Sequence, residues 1–330
     1  MRLSPKHAAE IAKGPTQVLS LDEDAVRRLI EPAALLDALA EGFKALALGH
    51  VQAPGRPEVT VPGRGFSLAM SAWMEGMNVT VKVVNVFEGN LERGLPNHLA
   101  VITLFEPETG LPVCVMDGTH ITAIRTAASA VLSVRLLARA DAKVATLVGA
   151  GVQGREHLRL LPLVRDFKEI RVASLHAEDA ERLAAQHPRA HAVTDVEAAV
   201  RCSDVVCLAT HSYEPVIARA WLRPGTHVSS VGYAPPRGEL PGELTREAAL
   251  FVETLDAFQP PPVGCAELAG LDSAAGTPLG EVLTGRREGR VSDSQITVYK
   301  AMGIAMEDMV AAHLAFESAK RAGAGRPVTL

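Results

Sequence analysis

Apolar positions in this chain follow two periods, and the switch between them divides it. Near the start the spacing is helical. Ser20-x-x-Glu23 reads as a capping box opening one helix, and Pro32 suits the first turn of a second that runs to about Leu48. From Val59 to Phe105 the pattern becomes β-like, with runs at Val79–Phe87 and Ala100–Phe105. Pro107-Glu-Thr-Gly110 marks a turn, Val113–Met116 another short strand, and Ile121–Ala138 a long Ala- and Leu-rich helix. After Lys143, strands alternate with helices. The predicted strands are 143–148, 169–174, 191–194, 204–210, 227–231 and 250–253. That alternation predicts a parallel, doubly wound α/β sheet. The apolar runs Asp204–Ala209 and His227–Val231 suit a sheet covered on both faces. Gln259-Pro-Pro-Pro-Val263 ends the regular part. Thr297–Lys320 is predicted as one final helix packing back on the first unit, outside a sheet already complete.

Composition narrows the function. The 330 residues allow two domains, and 48% hydrophobic with 22% charged residues is ordinary for a globular chain. A net charge of −5 offers no field for nucleic acid. No apolar run approaches the ~18 residues of a membrane span. Met1–Gly14 reads as a polar extension rather than a signal peptide. Four scattered cysteines without CxxC spacing fit a reducing, cytoplasmic setting. His187 and His191 are four apart, but Pro188 between them argues against a shared helix face, so no metal is expected.

The chemistry begins at Gly149-Ala-Gly151-Val-Gln-Gly154, entered by the apolar run 143–148 and followed by a helical stretch. Strand, Gly-x-Gly-x-x-Gly turn and helix are the context of a dinucleotide site. The first glycine permits the turn, the second lets a pyrophosphate approach, and the third lets helix and strand pack. The phosphates then meet free N–H groups at a helix N-terminus. An acidic residue about 20 positions on usually binds the ribose hydroxyls. Counting from Gly154 reaches Ser174, then Leu175 and His176, with no carboxylate. Ser174 and His176 could donate to a phosphorylated ribose, so the cofactor is NAD(P), leaning to NADP, although no arginine stands there either.

The run Leu104-Phe-Glu-Pro-Glu-Thr-Gly-Leu-Pro-Val-Cys-Val-Met-Asp-Gly-Thr-His-Ile-Thr-Ala-Ile-Arg-Thr-Ala-Ala128 resembles the signature of the ornithine cyclodeaminase/mu-crystallin family. Gly149–Gln153 is similar to that family's nucleotide turn, and Gly303-Ile-Ala-Met-Glu-Asp308 to its C-terminal helix. The likeness spans about Val18 to Ser318. It implies a homodimer in which a Rossmann domain (137–297) is joined to an α+β substrate-binding and dimerisation domain built from both chain ends (1–136, completed by 298–330). It also implies hydride transfer between a nicotinamide and the α-carbon of a small amino or imino acid. In the family, arginines hold the substrate carboxylate and a lysine works near its nitrogen. The matching residues are Arg56, Arg125 and Lys82. Arginine suits carboxylates because it stays charged and forks onto both oxygens. A lysine inside an apolar strand loses proton affinity to desolvation and can exchange protons near neutrality. Expected nucleotide contacts are Gly149, Ala150, Gly151, Val152, Gln153, Gly154, Ser174 and His176, with Thr126, Thr210 and Gly232 completing the set.

Taken alone, these residues also have plainer readings. Arg56 could be a solvated loop residue, Lys82 an edge-strand gatekeeper, Arg125 a helix-surface charge, and His98 either a proton donor or an ordinary histidine. Trp73 and Tyr233 are candidates to line the substrate pocket. One departure matters. Cyclodeaminases of the family carry an aspartate after the fifth Rossmann strand; here that position falls at Ala234, or at Tyr233 if one residue is missing, and the nearest carboxylate is Glu239. The expectation is therefore a reductase of a cyclic ketimine such as Δ1-pyrroline-2-carboxylate, or an amino-acid dehydrogenase. The alternatives are a cyclodeaminase converting ornithine to proline and ammonia, and a non-catalytic ligand-binding protein.

Overall fold

The computed structural model describes residues 16–329; the N-terminal stretch Met1–Gly14 lies outside them. Two sheets carry the fold. The first contains β1 (Gln17–Leu21), β2 (Val51–Gln52), β3 (Glu58–Val61), β4 (Gly65–Met74), β5 (Val79–Val86), β6 (His98–Phe105), β7 (Pro112–Asp117) and a last strand, β16 (Arg326–Thr329). Their order is β16-β1-β7-β6-β5-β4-β2, with β3 beside β4. β1 and β16 pair antiparallel, which brings the two ends of the described chain into one sheet. Strand alternation decides which side chains face inward. On β5, Thr80, Lys82 and Val84 face the interior, and Lys82 lies in register between Met70 on β4 and Ile102 on β6. β5 is thus an internal strand and Lys82 is no edge gatekeeper.

The second sheet is parallel throughout, in the order β10-β9-β8-β11-β12-β15-β13-β14. Its strands are β8 (Val144–Val148), β9 (Glu169–Ala173), β10 (Ala190–Ala192), β11 (Val205–Leu208), β12 (His227–Ser230), β13 (Ala249–Val252), β14 (Gly276–Pro278) and β15 (Thr297–Lys300). Read outward from β8, this is the doubly wound arrangement predicted from the alternation, with its crevice where the order reverses between β8 and β11. Both faces are covered. Val205 and Cys207 of β11 join one apolar cluster, Val206 and Leu208 the other.

Two long helices join the sheets. Thr119–Leu137 packs against the Val152–Leu160 helix, β12 and β15. Ala305–Ala322 packs against Thr119–Leu137, the Pro32–Ala47 helix, β4 and β5. Fourteen of nineteen residues in Thr119–Leu137 are buried, so apolar periodicity is weak in it, as expected of a helix enclosed on most sides.

Two local expectations are corrected. The first helix, Glu23–Leu29, is capped by Asp22, whose carboxylate accepts from the Ala25 N–H; Ser20 lies inside β1. The segment predicted as one helix from Thr297 begins instead with β15, and the helix starts only at Ala305. β15 sits between β12 and β13, so the parallel sheet is incomplete without it. The four residues Thr297–Lys300 are too few to show a period, and burial on both faces removes the alternation that would betray a strand.

Candidate active site

The glycine turn leaves β8 and enters the Val152–Leu160 helix, whose N-cap is Gly151. Two of its glycines are required by the fold. Gly149 has φ of 114°, and a Cβ there would lie 2.3 Å from the Ala209 carbonyl oxygen at the end of β11. A Cβ on Gly154 would lie 2.1 Å from the Gly149 oxygen. Gly151 is different: its φ of −78° suits any residue and a Cβ would point into open space. No side chain caps that helix end. Free N–H groups beside an uncluttered glycine fit a pyrophosphate, which needs close backbone approach and has its charge favoured by the dipole.

The other expected nucleotide residues lie along the same carboxyl edge of the parallel sheet. Ala150 and Val152 are in the turn, and Gln153 donates to the Ala123 carbonyl at 3.3 Å, which fastens the turn to the Thr119–Leu137 helix that carries Thr126. Ser174 follows β9, half-buried, and His176 is the exposed N-cap residue of the Ala177–Ala184 helix. Thr210 and Gly232 follow β11 and β12. Glu239, 1% exposed, holds them together. It accepts from Thr210 N at 2.9 Å and Oγ1 at 2.6 Å, from Ser230 Oγ at 2.8 Å and from Gly232 N at 2.7 Å. Lys300, on β15, donates to Ser230 Oγ, the Gly232 carbonyl and Glu267. Burial disfavours its charge, yet Glu267 and Glu239 outweigh that and raise its proton affinity.

Lys82 and Arg125 come from different layers and meet at Asp308 on the Ala305–Ala322 helix. Lys82 Nζ lies 2.6 Å from Asp308 Oδ2, and Arg125 Nε donates to Oδ1 at 2.9 Å. Arg125 Nη1 also donates to Glu307 Oε2 at 2.8 Å. Burial lowers the Lys82 pKa to about 8, against the raising effect of Asp308 and with a smaller lowering effect from Arg125. For Arg125 burial is the largest influence, but Asp308, Glu307 and Glu253 overcome it and fix the charge. Nη2 of Arg125 has no protein acceptor among the described residues.

Arg56 reaches the same segment from the other side. Its guanidinium donates to the carbonyls of Gly303 at 3.1 Å and Val263 at 2.8 Å, with longer contacts to Met302 and Pro262. Gly303 (φ 76°) is held by Glu253, which accepts from the Met302 and Gly303 N–H groups. Any Cβ on Gly303 would collide with the Arg125 guanidinium. So the three predicted substrate residues converge on Met302–Asp308, although Arg56 spends most of its donors on backbone. Tyr233 is half-buried near Arg56. Trp73 is half-buried on β4 with its indole Nε1 unpartnered. His98 is exposed, hydrogen-bonded to Asn97 Oδ1 at 3.1 Å. Ala234 is buried and Glu239 has its oxygens occupied by four donors, so neither provides a base.

Sequence reasoning missed Glu253, Glu267, Lys300, Glu307 and Asp308. A signal existed for the last two: adjacent acids in the first turn of an otherwise apolar helix.

The sequence model described as the ornithine cyclodeaminase/mu-crystallin family matches residues 17–323. The chain belongs to that family. Within it, the chain is 35% identical to the ketimine reductase mu-crystallin of Mus musculus over 86% of its own length and 90% of the relative's. Two solved structures superpose closely. One is Δ1-pyrroline-2-carboxylate reductase of Thermococcus litoralis, in complex with NADH and L-proline, with a TM-score of 0.88 and 31% identity, covering 94% of this chain and 100% of the other. The second is an archaeal alanine dehydrogenase dimer with bound NAD, with a TM-score of 0.87 and 29% identity, covering 95% and 99%.

Proposed function

We propose that this family member is an NAD(P)-dependent oxidoreductase acting at the α-carbon of a small amino or imino acid, and that it reduces a cyclic ketimine such as Δ1-pyrroline-2-carboxylate. The observation that carries the reading is the convergence of a buried lysine and a buried arginine on Asp308. Arg125, through its free Nη2, and Arg56 hold the substrate carboxylate. Lys82, with a pKa near 8, is largely protonated at neutral pH and gives a proton to the imine nitrogen. A bound nicotinamide cofactor supplies the two-electron redox chemistry. Gly149–Gly154 take its pyrophosphate, while Thr126, Thr210 and Gly232 bound the nicotinamide side.

Ser174 and His176 put no negative charge at the end of β9, which supports a lean to NADP; Glu178 and Asp179 in the next turn weigh the other way. The second copy of a homodimer is expected on the outer face of the first sheet. There Val83, Leu99 and Val101 are each more than a third exposed, and Val83 and Val101 are in register. The four cysteines are unpaired, which suits the cytoplasm. Cyclodeamination is disfavoured because an attacking amine or water needs a base and Ala234 supplies none.

The test is turnover. The purified protein oxidises NAD(P)H with Δ1-pyrroline-2-carboxylate, the Lys82→Ala variant does not, and ornithine releases no ammonia. Catalytic conversion of ornithine to proline and ammonia at a comparable rate overturns the reading.

A further inference from the structure

Behind the substrate end of the site, five ionisable side chains are buried together: Lys82 on β5, Arg125 on the Thr119–Leu137 helix, Glu253 at the end of β13, and Glu307 and Asp308. None is more than 5% exposed. With every group charged, three carboxylates would face two cations. An uncompensated charge in such a place is expensive, and a group can avoid it by taking up a proton.

The hydrogen bonds say which one. Asp308 accepts from Arg125 with one oxygen and has the Lys82 ammonium 2.6 Å from the other, an ion pair rather than a formed hydrogen bond. Glu253 uses both for the N–H groups of Met302 and Gly303. Glu307 uses only Oε2, on Arg125; its Oε1 is buried and receives no donor. Glu253 and Glu307 flank the same two groups: Glu307 accepts from Arg125 Nη1, Glu253 accepts from the Gly303 N–H, and a Cβ on Gly303 would collide with that Nη1. Two carboxylates have no proton to share, so a bond between them exists only if one is an acid. Oε1 of Glu307 is the oxygen left for it.

We propose that Glu307 is held as a neutral carboxylic acid donating from Oε1 to Glu253, so that Arg125 keeps part of its charge for the substrate. The buried cluster is then balanced: Lys82 and Arg125 against Asp308 and Glu253. The incoming substrate carboxylate is matched by Arg56 at the Gly303 carbonyl. Nearby polar groups fit this state. Tyr299 on β15 is bonded to Ser129 Oγ at 2.6 Å, and its hydroxyl is kept neutral by burial and by Glu253. Burial and Glu253 push the Glu307 carboxyl well above the usual range, more than Arg125 and Ser129 pull it down. Glu307 is thus a positioning residue acting through Arg125. Its purpose rests on the reading that Arg125 binds the substrate carboxylate; its protonation does not.

Infrared spectroscopy tests it on the full-length holoenzyme at pH 7. Protein carrying 13C-glutamate should show an isotope-shifted band of a buried carboxylic acid. The band should vanish in Glu307→Gln. In Glu253→Gln the negative charge that keeps Glu307 protonated is gone, and Glu307 ionises against Arg125. The band should then vanish too, and KM for the imino acid should rise about tenfold, the equivalent of one pKa unit, with a smaller change in kcat. The double variant Glu253→Gln/Glu307→Gln, neutral again beside Arg125, should recover most of that KM loss. No acid band in the wild type, a band that survives Glu307→Gln, or a double variant worse than Glu253→Gln overturns the proposal. The labelled wild type decides alone if the variants do not fold. An unchanged KM in Arg125→Leu with the acid band intact would instead sink the carboxylate reading.

Discussion

Asp308 Oδ2 lies 2.6 Å from Lys82 Nζ, and each residue is 1% exposed. A lysine buried alone would lose its proton near neutrality; this one is kept at about 8 because Asp308 opposes the desolvation. The protonated form is the one that can donate to an imine. Reductase kcat/KM should therefore hold below pH 8 and fall as pH rises through it. Asp308→Asn removes the raising influence, so the alkaline limb should move to lower pH. A limb that stays in place in Asp308→Asn would show that another group titrates.

Arg125 is joined to Asp308 and Glu307 and still has Nη2 for a ligand. Losing one partner of a buried charge-assisted pair costs about 2–5 kcal/mol. Arg125→Leu should thus raise KM for the imino acid at least about 30-fold, with a much smaller effect on cofactor affinity. Steady-state kinetics beside cofactor titration by fluorescence separate the two.

The glycines of the turn make different predictions. Gly151→Asp places a carboxylate where the structure has open space, so NAD(P)H binding should be lost while the melting temperature is kept. Gly154→Val drives a side chain into the Gly149 carbonyl and should lower the melting temperature itself. Equal cofactor affinity in wild type and Gly151→Asp would displace the site. The NADPH to NADH affinity ratio of the wild type, measured in the same titration, should exceed one.

Buried histidines should set acid stability. His227 is bonded through one ring nitrogen to Ser133 Oγ at 3.0 Å and through the other to Thr297 Oγ1 at 2.9 Å, and burial lowers its pKa to about 3. His157, bonded to the Gln153 carbonyl, is lowered by burial to about 4. Their folded pKa values lie below the ordinary 6.5, so the unfolded chain binds the extra protons. Stability is complete above pH 6.5 and falls as pH drops from there toward 4 and 3. The loss is about 1.4 kcal/mol per pH unit for each group. Urea unfolding at pH 7 and pH 5 should show it, and His227→Gln should make the slope shallower.

The sequence by itself determined whatever is local in the chain. Strands β8 to β13 appeared at nearly their observed limits, because each apolar run is bounded by turn residues and separated by helices. The glycine turn was legible because its geometry is a property of six consecutive residues. Resemblance supplied Lys82, Arg56 and Arg125 as candidates, but nothing near each in sequence says where it points. Tertiary structure decided that. Lys82 is buried because the Ala305–Ala322 helix covers the inner face of β5, a fact of tertiary packing. Thr297–Lys300 is a strand because β12 and β13 leave a gap for it, and four residues buried on both faces carry no period of their own. The polar framework of Glu239, Lys300 and Glu267, and the cluster of Glu253, Glu307 and Asp308, join residues up to 226 positions apart, from Lys82 to Asp308. Buried charges are tolerated only where partners from distant segments complete them, and that condition is met by the fold as a whole rather than by any stretch of the chain.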